Sequence, residues 1–107
     1  MQVGEFFWKI EEDKDLRGVD LQIGDDPAED IMVVEDLHSG YKTRFSIPAI
    51  LENDWPMLRD IALGRKSIQP LYHVTRIVGY YSRIENWNKS KIGELVDRRH
   101  GNYSLAS

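Results

Sequence analysis

Residues 31–47, IMVVEDLHSGYKTRFSI, decide the fold. Ile31–Leu37 is a short apolar run of strand character, and Tyr41–Ile47 alternates cleanly. Tyr41, Thr43, Phe45 and Ile47 fall on one face, and Lys42, Arg44 and Ser46 on the other, which is the period of a half-buried strand. His38-Ser39-Gly40 joins the two runs, and Gly40 suits the positive-φ position of a tight hairpin loop. Upstream, Val19, Leu21 and Ile23 alternate with Asp20 and Gln22, so a third strand precedes the hairpin, ended by Gly24-Asp25-Asp26-Pro27. The aromatic-rich Glu5–Ile10 (EFFWKI) reads as a further strand, followed by a charged turn over Glu11–Asp15. These segments predict an antiparallel meander of three or four strands.

Downstream of the hairpin the period changes. Leu51, Trp55, Leu58 and Ala62 are spaced as one face of a helix. Pro56 interrupts it, so Asp54 is expected to cap a fresh helix with Trp55 and Pro56 in its first turn. Gly64 stops that helix, and Ser67-Ile68-Gln69-Pro70 reads as a linker. Beyond it come an apolar stretch, Leu71–Val78, then Gly79-Tyr80-Tyr81 and a loop through Asn86-Trp87-Asn88. Lys89–Arg99 is expected as a short helix with Ile92, Leu95 and Val96 as its apolar stripe, capped by Asn88 or Ser90. Gly93 inside it costs roughly 1 kcal/mol relative to Ala, which close packing would offset. The predicted class is therefore α+β: an antiparallel β-meander with a packed helix and a C-terminal glycine loop plus short helix. Two parts are expected, a sheet-plus-helix domain over 1–66 and a tail over 67–107 packed on it.

Of the 107 residues, 41% are hydrophobic and 30% charged, enough for one modest core. There is no cysteine, which excludes disulfides, thiolate metal sites and a cysteine nucleophile or thiyl in this chain. No apolar run approaches the roughly 20 residues that span a bilayer, and the N-terminal MQVGEFFWKIEED lacks signal-peptide character, so a cytoplasmic protein without a membrane segment is expected. Residues 1–70 carry 15 acidic and 8 basic side chains, a balance of −7; residues 71–107 carry 3 and 6, a balance of +3. The net charge of −4 opposes nonspecific nucleic-acid binding.

Three constellations invite a chemical reading. Asp25, Asp26, Glu29 and Asp30 cluster as hard-cation ligands do, but their spacing is that of a solvated acidic loop. His38, His73 and His100 lack ligand spacing, so no metal site is expected. Phe6, Phe7, Trp8, Tyr41 and Phe45, interleaved with Lys9, Lys42 and Arg44, would form a stacking sheet for single strands if they shared an exposed face, whereas strand aromatics ordinarily fill cores.

The tail carries a more specific pattern. Arg76-Ile77-Val78-Gly79-Tyr80 resembles the R-x-x-G-Y motif that bears the glycyl radical in anaerobic, class III ribonucleotide reductases. Trp87-Asn88, Lys91, Glu94 and Asp97-Arg98 resemble the W-N-x-x-K-x-x-E-x-x-D-R pattern closing those proteins, and Tyr103 their terminal tyrosine. The resemblance spans about thirty residues. It implies Gly79 as the radical position, with the Cα hydrogen removed by a radical-SAM activase, and Arg76, Tyr80, Trp87, Asn88, Lys91, Glu94, Asp97 and Arg98 as motif positions. Glycine alone suits a planar Cα radical, because a Cβ would oppose planarity and close approach.

The family's paired zinc-binding cysteines have no counterpart in Ala62–Thr75, and its barrel with the thiyl cysteine is absent. The resemblance thus implies an accessory or degenerate reductase-related protein, not a complete reductase. No bound cofactor is expected; the partners implied are a reductase barrel subunit or an activase. An exposed edge strand would also suit a homodimer. The alternative is a small single-strand- or protein-binding module without radical chemistry, in which Gly79 is a turn glycine ending a strand.

Overall fold

A computed structural model of the chain describes residues 1–26, 29–65, 74–77 and 86–106, with 74–77 and 98–106 described as backbone. The chain order is α1 (Val3–Glu12), β1 (Leu16–Gln22), β2 (Ile31–Asp36), β3 (Lys42–Ser46), α2 (Ile47–Glu52), α3 (Trp55–Ala62), β4 (Val74–Ile77) and α4 (Lys89–Ala106). The four strands form one antiparallel sheet in sequence order, β1-β2-β3-β4. The class is α+β, as the alternation predicts.

The hairpin follows its sequence closely. Met32 faces Phe45 and Val34 faces Thr43, so the apolar alternation of both strands lands on one side. Gly40 takes φ +78° in the connecting loop, a conformation costly for any residue with a Cβ. Asp36 organises that loop: its carboxylate accepts from the His38 amide at 2.9 Å and from Ser39 Oγ at 2.8 Å. Burial works against the charged form of Asp36, but these donors hold its pKa below the usual carboxylate value.

The first segment corrects the sequence reading. Glu5–Ile10 is helix, not strand. Val3, Phe6, Phe7 and Ile10 are its buried residues, at i, i+3, i+4 and i+7, while Trp8 and Lys9 face outward. Its aromatic content favours a strand, but burying this stripe against the sheet decides the matter. Phe6 meets Phe45 edge-on at 5.4 Å and Trp55 at 6.0 Å, and all three phenylalanines are fully buried, each contributing about 1.5–3 kcal/mol.

A second difference lies at Ile47, which begins α2 instead of ending β3. Ser46 caps it by accepting from the Ala49 amide at 3.3 Å, and Pro48 sits in the first turn, where no N–H is needed. At its other end the α-amino group of Met1 donates to the carbonyls of Ile50, Leu51 and Asn53, a cation at the negative end of the helix. Asp54 caps α3 through the Met57 amide at 3.2 Å, as predicted, and Gly64 follows at φ +73°. Leu51 therefore belongs to α2, and Trp55, Leu58 and Ala62 to α3.

In β1 the register slips between Gly18 and Asp20: Gly18 faces Val34, yet Asp20 faces Val33. This bulge at Val19 changes which face later residues take. Leu16 and Gly18 point toward α1, and after the bulge it is Leu21 that joins the core, opposite Met32. Val33, flanked by two core residues, is on the far face with Asp20, and is itself fully buried.

The C-terminal helix is longer than its predicted Lys89–Arg99 span. Ile92 and Leu95 enter the core against α1, but Val96 is 41% exposed and does not complete the expected stripe. Gly93 also departs from expectation. A Cβ built there meets no atom within 4 Å, so close packing is not its reason. Gly93→Ala should raise the unfolding free energy by about 0.5–1 kcal/mol in a urea melt, since only helix propensity changes.

Candidate functional site

The reductase-like motif residues fall in two places. Arg76 lies in β4, in register with Thr43. Trp87, Asn88, Lys91 and Glu94 gather at the start of α4, on the side of the sheet where α1 meets β1. Gly79 and Tyr80 lie outside the described residues, and Arg98 and Asp97 lie further along α4, with Asp97 exposed.

Trp87 is the centre of the second group. Its indole stacks on Phe7 with ring centroids 5.0 Å apart and 15° between planes. Phe7 in turn meets Trp8 edge-on at 5.3 Å, and Lys89 Nζ lies 5.3 Å from the centroid of the Trp8 ring. Two tail residues thus grip both ends of the Phe7–Trp8 pair. On its other side the indole lies against Gly18, and a Cβ there would fall inside the ring atoms Cγ, Cδ2 and Cε2. Gly18 is therefore fixed by close approach of a ring, independent of its backbone angles. The indole N–H is buried and has no hydrogen-bond partner among the described residues. Beside the ring, Ile10, Glu11, Leu16, Arg17 and Gly18 line a cleft of about 250 Å³.

Around this ring the neighbouring residues are tied down individually. Asn86 Nδ2 donates to Asp20 Oδ1 at 3.1 Å, while Gln22 Nε2 donates to Asp20 Oδ2 at 3.0 Å, so the buried carboxylate is held from both oxygens. Asn88 caps α4: its Oδ1 accepts from the Lys91 amide at 2.8 Å. Of the two caps the sequence allowed, Asn88 is the one used. Lys91 and Glu94 form an exposed ion pair at 3.9 Å, worth little by itself.

A polar network absent from the sequence reading joins three other segments. Arg59 of α3 donates through Nε to Asp13 at 2.6 Å and through its terminal amine to Asp15 at 2.7 Å. Asp15 also meets His38 Nε2 of the β2–β3 loop at 2.7 Å. The His38 contact, with further help from Arg59, lowers the Asp15 pKa, and the same contact raises that of His38. Each bond crosses between segments distant in sequence, so no local spacing could announce it.

The remaining candidates resolve as follows. Phe6 and Phe7 belong to a helix and, with Phe45, are buried, so the aromatic stacking sheet is not assembled. Lys42 approaches Glu35 at 3.5 Å. In the acidic loop, Asp25, Asp26 and Glu29 are exposed, whereas Asp30 is buried and accepts from the Gly24 amide at 2.9 Å. Among the described residues no three His, Asp or Glu converge as metal ligands, and no helix is long and apolar enough to cross a membrane. Gly18, Asp20 and Asn86 are the site residues that sequence reasoning missed, and Phe7, read as part of a stacking sheet, stacks instead on Trp87; the available signal was a glycine inside a strand pattern.

Comparison of the chain with protein-family models, curated proteins and solved structures finds no match.

Two outcomes follow. Gly18→Ala should displace the indole and lower stability by about 1–3 kcal/mol in a denaturant melt, the range for overpacking. For His38, the raised pKa means its contact stabilises the fold fully below the ordinary value of 6.5 and loses that effect as pH rises through the folded value. The melting difference between the native chain and His38→Gln should therefore be largest below about pH 6.5, while Asp15 remains ionised, and shrink as the pH is raised above that value.

Proposed function

We propose that this chain is an accessory protein related to anaerobic ribonucleotide reductases, carrying a reductase-like glycyl tail on a small α+β body. It would work with a barrel subunit or an activase, because a chain without cysteine supplies no thiyl of its own. The observation that carries the reading is how the tail is fastened. The segment 78–85, which includes Gly79, is bracketed by β4 on one side and by Asn86-Trp87 on the other, and both brackets are built into the body. A body that holds both ends of such a segment is suited to presenting it to a partner.

A second reading is favoured by the same residues. Trp87 and Asn88 each have a complete local task here, filling the Phe7–Gly18 gap and capping α4. The family pattern would then persist for folding alone, in an interaction module whose chemistry is lost.

Anaerobic incubation with a radical-SAM activase and its reductant separates the two. The accessory-radical reading expects a carbon-centred radical signal by electron paramagnetic resonance, absent in Gly79→Ala, and chain cleavage at Gly79 on admission of oxygen. An intact chain with no signal, alongside a reductase control that does activate, leaves the interaction module.

A further inference from the structure

We infer that the outer seam between α1 and α4 binds a second copy of this chain, with Trp8 of each copy seated over Gly93 of the other. The inference is independent of the reductase reading.

The two helices run antiparallel along this seam. The Cβ position of Gly4 lies 3.9 Å from Val96 Cγ2, and one helical turn later the Trp8 ring meets Lys89. Trp8 is 47% and Val96 41% exposed, two of the four large apolar side chains that face solvent among the described residues. Between them on α4 lies Gly93, since Lys89, Gly93 and Val96 share one helix face at i, i+4 and i+7. Gly93 weakens its helix, and nothing within 4 Å of its Cβ position explains it inside the chain. An open notch beside an exposed indole gives that glycine a reason outside the chain.

A second copy fits the seam by charge and by level. α1 holds three acidic and one basic side chain, a balance of −2, and α4 holds four basic and two acidic, a balance of +2. A two-fold axis parallel to the helices lays α1 of each copy on α4 of the other, antiparallel as within the chain, so unlike charges meet. Trp8 stands level with Lys89. Side chains lean toward the N-terminus of their helix, here the Val96 end of the seam, and Gly93 lies about 6 Å from Lys89 in that direction. The ring of one copy therefore reaches the notch of the other. Glu5 and Glu12, exposed at i−3 and i+4 from Trp8, then stand opposite Lys89 of the second copy. The same two carboxylates disfavour a nucleic acid or an anionic membrane as the occupant. Ten residues of α1 and 18 of α4 offer a face of roughly 300–500 Å² per copy, against about 800 Å² in a standard stable interface. The dimer is therefore weak, with a Kd on the order of 100 μM.

Sedimentation equilibrium of the full chain at low ionic strength, from about 10 μM to 1 mM, brackets that affinity. The native chain should pass from monomer toward dimer across the range; a chain monomeric throughout overturns the inference. Gly93→Leu fills the notch where its own chain leaves open space, so it should keep a cooperative melt yet associate at least about tenfold more weakly. Association as tight as that of the native chain overturns the seat. Trp8→Ala, which removes the exposed ring, carries the same expectation and replaces Gly93→Leu if that variant fails to melt cooperatively. Glu12→Lys and Lys89→Glu should each associate more weakly alone. An equimolar mixture of the two should recover the dimer, because both contacts of the mixed pair then join unlike charges, a repair that no change within one chain can make. A mixture no tighter than either variant alone overturns the two-fold arrangement.

Discussion

The placement of one indole ring organises this molecule. Trp87 occupies the gap that Gly18 leaves in β1 and stacks on Phe7 of α1, so it touches the first helix, the first strand and the tail at once. From that point α4 departs, capped by the next residue and packed through Ile92 and Leu95 onto α1. Without a side chain missing at position 18 there would be no room for the ring. Without the ring, the tie that remains between Asn86 and β1 is polar. The body and the tail are thus joined by a shape match of small to large, of the kind close-packed interiors demand.

The same contact gives two meanings to a motif residue. A tryptophan in a family pattern is ordinarily weighed for what it does in the family's chemistry. Here its surroundings supply a sufficient physical reason for its presence, and the same holds for Asn88. Neither reason bears on Gly79. The mechanical weight of the tail rests on the Trp-Asn pair.

How far the fold was legible depended on whether each signal was local. The hairpin was readable because both strands show their pattern within seven residues and Gly40 marks the turn. The α3 cap was readable from Asp54 and Pro56. The first helix was misread because six aromatic-rich residues, Glu5–Ile10, fit a strand as well as a helix, and the decisive stripe needed Val3 as well. At Ser46–Pro48 the alternation of β3 ran one residue into a helix start whose serine and proline were both visible. The site was hardest, since Trp87 meets partners at positions 7 and 18 and Asn86 meets Asp20. The charged network of Arg59, Asp13, Asp15 and His38 was hidden for the same reason.

The bulge at Val19 ties these parts together in a further way. It lets one strand serve two masters: Gly18 stays on the helix side for the indole, while the chain shifts phase so that Leu21 can also fill the core. Paired regularly with all its residues kept, β1 would place Gly18 and Leu21 on opposite faces and lose either its core residue or its seat for the tail, whereas deleting Val19 would leave both on the helix side. A position able to absorb a one-residue deletion, usually found in a loop, here lies inside a strand, at Val19.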